Sequence, residues 1–322
     1  MAKFAQYYLK YDLSELFAGN YKDSRQQFFG ALFETNESIE FSTGENDEKK
    51  VYKHQVYHLS MNENIIVMRI ANDKPKTVEQ DFKEVSVRNE PSCYVIIDNR
   101  DGCRRIAVQR NRKAFDQPKH VCNIITESVN KRMLAECHIR VELRPQFYPR
   151  DFYKAWKMHE HHAQRLRFNL SENELPEGFA DMEIVDDSIM GFILKANEEL
   201  LRKTKYRTTI ELNPPENVPC LFVDKESTYI SNLVKFSAST GNRIEIVTSD
   251  GATFTCYIDD DSQSDSIVSN EFDANLLDAL FEEHPEELEN VEMQILEYVN
   301  GMKYIVDQDE RCDNEYEEED AA

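Results

Sequence analysis

The sequence predicts an α+β protein, a mainly antiparallel sheet of hairpins with packed helices, in two interlocking halves and with an acidic C-terminal region. Three observations predict it. Short apolar runs alternate with polar turn clusters, as in antiparallel hairpins. Other windows repeat apolar residues at three- and four-residue spacing, as amphipathic helices do. A hydrophobic fraction of 40% over 322 residues supplies enough apolar surface for more than one core.

Taken in order, Phe4 to Leu13 is rich in Tyr and Phe and reads as a strand of the main sheet. Ser24 to Phe33 reads as a helix with Phe28, Phe29, Leu32 and Phe33 on one face and Asp23 as its N-cap. Ile39-Glu40-Phe41 is a short strand, and Val51 to Leu59 pairs with Ile65 to Ile70 across the turn Met61 to Asn64. Pro75 and the charged stretch from Lys74 to Glu90 read as an interruption. The central hairpin follows: Tyr94 to Ile97 and Ile106 to Val108 flank the polar cluster Asp98 to Gly102. Val121, Ile124, Ile125, Val129, Met133 and Leu134 then form a helical stripe, with Pro118 at the start, where a missing N–H is harmless. Ile139, Val141 and Leu143 alternate with Arg140, Glu142 and Arg144 in the period of a half-buried strand.

Arg150 to Ala163 reads as a second helix and Arg165 to Leu170 as a strand, closing a first domain, 1–170. Residues 171–187 hold Pro176, Gly178 and seven acidic residues, and mark the boundary to a second α+β half, 171–306. That half is expected to run as a helix from Ser188 to Lys203, a strand from Thr208 to Leu212, a helix from Thr228 to Ser237 capped near Gly241, and a hairpin turning at Ser249-Asp250-Gly251. Leu276, Leu277, Leu280 and Phe281 suggest one more helix, and Asn300-Gly301 a final hairpin. Residues 307–322 are acidic and polar and read as a disordered tail.

The net charge of −23 is divided unevenly. From Tyr257 onward there are 23 Asp and Glu against Lys303 and Arg311, whereas Arg100 to Arg167 holds 16 Lys and Arg against 7 acids. Ten cations of the basic block are therefore candidate nucleic-acid-backbone contacts: Arg100, Arg104, Arg105, Arg110, Arg112, Lys113, Lys131, Arg132, Arg140 and Arg144. Arginine predominates, which suits bidentate phosphate contact. The acidic C-terminal region would regulate such a patch by occupying it, or would serve as a solubilising face.

Catalytic apparatus is sparse. A sheet followed by a helix and a strand is the outline of metal-dependent nucleases with a PD-(D/E)xK core, and the nearest match is Asp98 with Gln109 and Asn111, which departs from that pattern at the lysine. Gln109 is expected opposite Cys93, about 17 Å along the strand from Asp98, too far to share a metal. His159-Glu160-His161-His162 lacks the H-E-x-x-H spacing of a zinc helix. Phosphate-cradling glycine loops and C-x-x-C pairs are absent, so no cofactor or metal is expected and the seven cysteines read as reduced thiols. No run is long and apolar enough to cross a bilayer and no signal-peptide pattern opens the chain, so the expected location is the cytoplasm.

From Tyr52 to Leu170 the succession of hairpin, helix and arginine-bearing strand loosely resembles uncharacterised bacterial proteins of mobile-element and phage-defence operons. With the basic block, the expected function is a non-catalytic accessory subunit that engages nucleic acid. Two other readings stand beside it: a protein-assembly module, self-associating or bound to a partner protein, and a divalent-metal nuclease.

Overall fold

The computed structural model describes residues 1–13, 21–44, 49–80, 82–100, 102–170, 208–223, 227–256, 267–281 and 288–302. The chain is α+β, with antiparallel sheets and several helices, in two compact units: Met1–Leu143 with Ser269–Val299, and Arg144–Val268 with Asn300–Ala322. The first unit is thus assembled from two stretches of sequence more than a hundred residues apart. The boundary read at 171–187, the helix at 188–203 and the tail beyond 307 lie outside the described residues.

The first unit is built on a seven-stranded sheet. Its strands are β1 (Ala2–Leu13), β4 (His54–Leu59), β5 (Asn62–Ala71), β8 (Ser92–Asp98), β9 (Arg105–Gln109), β10 (Ile139–Pro145) and β15 (Ser269–Phe272). They lie in the order β10-β1-β9-β8-β5-β4, with β15 also pairing β1. The central hairpin forms as expected, with Val95 opposite Val108 and Asp98 opposite Arg105.

Helices cover both faces of this sheet. Helix α2 (Pro118–Cys137) buries Val121, Ile125, Val129 and Met133 on the face of Tyr7, which lies beside the Cys122 thiol. Helix α6 (Leu288–Met302) covers the opposite face, where the Tyr298 ring meets Phe4 at 6.0 Å and Phe272 at 5.0 Å. A strand covered on both faces has no solvent side, which is why Tyr94 to Ile97 is an unbroken apolar run and not an alternation. Helix α1 (Tyr21–Ala31) packs beside α2 and buries Phe29. It begins before Asp23, so that residue is inside the helix and not its N-cap.

Two further expectations are corrected. Asn300-Gly301 does not turn a hairpin: α6 runs through it to Met302, because Val291, Ile295, Tyr298, Val299 and Met302 recur at helical spacing and are buried together. Nor do residues 74–90 merely interrupt the chain. They form strands β6 (Lys76–Gln80) and β7 (Lys83–Val87), a two-stranded ribbon outside the main sheet. A second small ribbon joins β2 (Phe41–Thr43) to β3 (Lys50–Tyr52).

The second unit has a four-stranded sheet in the order β12-β11-β13-β14, made of β11 (Ala163–Leu170), β12 (Thr208–Leu212), β13 (Ile244–Thr248) and β14 (Thr253–Thr255). Helices α3 (Pro149–His159) and α4 (Thr228–Thr240) pack on it through Phe152, Trp156, Leu233 and Phe236, against Leu166, Phe168 and Ile246. Gly241 ends α4 with a φ of 61°, the left-handed cap expected of it. The short helix α5 (Ala274–Asp278) of the first unit starts at Asp273, whose carboxylate accepts the Asn275 N–H.

Candidate interaction surface

The ten cations of the basic block do not share one surface. Arg100 is half-buried, and its guanidinium grips the fully buried Asp98 carboxylate through two 2.8 Å hydrogen bonds. Arg104 is buried with its guanidinium over the Tyr11 ring, and Arg105 is buried in the sheet directly opposite Asp98. Arg110 is half-buried, and Arg144 donates to the Asn242 side chain at 2.7 Å. These five belong to the fold.

The other five are exposed in two groups, Arg112 and Lys113 ahead of α2, and Lys131, Arg132 and Arg140 toward its other end, where the Asn130 side chain bonds both the N–H and the C=O of Val141. Arg112 and Lys113 occupy the turn before α2. Lys131 reaches the Ser42 hydroxyl and Arg132 pairs with Glu136, both near the far end of α2, about 20 Å along its axis from Pro118. Arg140 points outward from β10, at the edge of the sheet. Nor does the acidic region simply sit on the block: its Asp278 lies 3.8 Å from Arg69 of β5 and accepts a hydrogen bond from Tyr94.

The proposed nuclease pair fares no better. Val95 opposite Val108 places Gln109 beside Tyr94, one residue from the expected register, and its Oε1 accepts the Tyr94 N–H at 3.0 Å. Gln109 is therefore still four residues, about 13 Å, from Asp98. The His159 ring stacks on Phe254 with centroids 3.8 Å apart, at a helix end and not in a ligand cluster. Among the described residues, no group of three or more His, Cys, Asp or Glu could hold a metal ion.

Every residue of β7 in the β6–β7 ribbon is exposed, and the ribbon's geometry is specific. β5 and β8 pair from Ile65↔Asp98 to Ala71↔Ser92. The same register continues past Pro75 and Pro91: Asn72 N–H donates to Pro91 O and Lys74 N–H to Asn89 O, both at 2.9 Å, and Lys76↔Val87 to Gln80↔Lys83 complete it. Two strands of the sheet thus run on beyond their neighbours as an arm about 30 Å long from Ala71 to the tip.

Its base is clamped. The buried Asn72 side chain donates to Ala114 O and accepts from Lys50, both at 2.7 Å. Asn111 donates to Ser92 O, Lys74 pairs with Asp116, and Lys53 pairs with Glu90. Hydrogen bonding from Lys53 and the charge of Arg88 hold the Glu90 carboxyl below the usual carboxylate range. The tip is apolar and open. Phe82 is 98% exposed, and Val85 and Val87 are 40% and 44% exposed on one face of the ribbon.

No protein-family model, no curated protein and no solved structure matches this chain. The arm's own geometry carries the functional reading.

The arm was legible only in part. In the sequence, Lys76 to Gln80 and Lys83 to Val87 are short runs containing Thr and Val with two residues between them, a spacing that is a hairpin signal. The loop has no glycine, however, and Phe82 supplies the positive φ, 60°, that Asn or Gly supplies in most tight hairpins.

Proposed function

We propose that this chain is a non-catalytic assembly subunit that docks another protein on the β6–β7 arm. The observation that carries the reading is the tip: a fully exposed phenylalanine, with two half-open valines behind it, on a ribbon whose base is fixed by hydrogen bonds and ion pairs. A two-stranded ribbon with no covered face has little stability of its own. An apolar tip held away from the core loses water contact only when something binds it. The resemblance over residues 52–170 would make the chain a cytoplasmic component of a bacterial defence or mobile-element system.

Five of the ten cations are tied into the fold and the exposed five divide between two groups, which argues against a continuous track for a phosphate backbone. Fluorescence polarisation with duplex DNA and with single-stranded RNA at low salt is accordingly expected to show no binding by the full chain.

The test of docking is a photo-crosslinking amino acid placed at position 82, with positions 158 and 222 as exposed apolar controls in the other unit. Protein adducts specific to position 82 support the reading. Adducts absent there, or equal at all three positions, contradict it. Phe82→Gly separates function from folding, because glycine adopts the positive φ without strain: docking should be lost with the melting temperature unchanged or raised.

A further inference from the structure

We infer that the protein docked on the arm is a second copy of this chain, joined through the outer edge of β7 in one antiparallel register. The inference rests on the docking reading above and names its partner.

The backbone phase of the arm fixes which groups are free to pair. Alternate rungs of an antiparallel ladder exchange hydrogen bonds. The bond from Lys74 N–H to Asn89 O sets that phase, so Val87, Val85 and Lys83 bond inward to β6. Glu84, Ser86 and Arg88 therefore turn their N–H and C=O groups outward. Among the described residues, β7 makes no backbone bond on that edge, and all five of its residues are exposed.

A two-fold axis at Ser86 satisfies this edge with itself. Ser86 then faces Ser86 of the second copy, Glu84 faces Arg88, and Val85 faces Val87, each of the latter pairs occurring twice. The result is a four-stranded sheet with two opposite-charge pairs on one face and two valine pairs on the other, both favourable cross-strand contacts. The register one step toward the tip would instead oppose Lys83 to Val87 and Phe82 to Arg88, and matches no charges.

The isolated arm carries a corresponding imbalance. Glu79 and Glu84 stand directly opposite each other on the ribbon, a like-charge pair that destabilises it. Arg88 of a second copy would neutralise Glu84. Within its own chain Arg88 pairs with Glu90 while remaining 68% exposed, so that contact is easily exchanged.

Sedimentation velocity of the full chain from about 1 to 100 µM tests this directly, since an edge-to-edge contact of this size gives micromolar association at best. The expected result is a reversible dimer. Glu84→Arg should raise its dissociation constant about tenfold or more, by setting two arginine pairs against each other, and Glu84→Arg with Arg88→Glu together should restore it. Ser86→Pro should abolish the dimer, because it removes the central outward N–H, which the single chain does not use. A monomer throughout the range, or a dimer that Glu84→Arg does not weaken or the double exchange does not restore, overturns the inference. A monomeric chain that still gives position-82 adducts to a different protein overturns it while leaving the docking reading intact. An absence of adducts removes both.

Discussion

Glu79 and Glu84 face each other across the arm, two carboxylates on the same side of an exposed ribbon. Replacing Glu79 with Lys turns the pair into an attraction without touching Phe82 or the outer edge of β7. Amide exchange in residues 76–87 should slow severalfold in Glu79→Lys, with the global melting temperature unchanged, since cross-strand charge pairs are worth about 0.2–1 kcal/mol.

Glu292 fastens α6 to the turn between β4 and β5. Its carboxylate is buried and accepts from Tyr57 Oη at 2.7 Å, Ser60 N–H at 3.0 Å, Ser60 Oγ at 2.7 Å and Met61 N–H at 3.1 Å. Glu292→Ala removes the shared acceptor of all four bonds and should cost about 1–3 kcal/mol in denaturant unfolding.

The same contacts set a pH dependence. Burial alone would push the Glu292 carboxyl up, but the four hydrogen bonds outweigh it and hold it below the ordinary glutamate range. A carboxyl depressed on folding contributes stability above its unfolded pKa, near 4.3, and loses it as pH falls through the folded value. Burial and the bond to Glu292 push Tyr57 up to about 12, so its contribution is full below its unfolded value and is lost as pH rises through about 12. In Glu292→Gln, ultraviolet titration should find Tyr57 ionising at lower pH, and the acid-side loss of stability should shrink.

Asp98 distinguishes a structural carboxylate from a catalytic one. It is fully buried, bonded bidentately to Arg100, and opposite the buried Arg105. Asp98→Ala strands the Arg100 guanidinium and should destabilise the first unit by about 3–5 kcal/mol in chemical denaturation. Magnesium-dependent cleavage of DNA by the parent chain, abolished in a still-folded Asp98→Ala, would restore the nuclease reading.

Gly241 tests the second unit. A Cβ there would stand 2.6 Å from Arg144 Cβ and 2.7 Å from Pro145 O, and φ is already positive. Gly241→Ala should lower stability by about 2 kcal/mol or more, read as a drop in melting temperature.

Much of this architecture can be read from the chain because local pattern and burial agree. The helix at Val121 to Met133 and the hairpins around Tyr94–Ile97 and Ile244–Ile246 form where their periods and turn residues place them. Asn300-Gly301 misled because a strong local turn signal was overridden by the pairing of α6 with Phe4 and Phe272 across the sheet. The burial of half the basic block was hidden for a related reason. Charge counted along the sequence says nothing about side chains whose guanidinium groups end on a buried acid or an aromatic ring, as those of Arg100 and Arg104 do. Glu292 gave no signal, since its donors lie more than two hundred residues away.

Docking through the arm and binding through the exposed cations are separated by one comparison. Partner recovery by affinity purification from the native cells, quantified by mass spectrometry, would use three chains: the parent, a chain with residues 75–88 replaced by Asn-Gly, and a chain with Arg112, Lys113, Lys131, Arg132 and Arg140 all changed to Gln. The account predicts that shortening the arm removes the specific partner, a differently tagged second copy included, while neutralising the five exposed cations leaves recovery unchanged. Recovery that survives loss of the arm and disappears with the cations would contradict it.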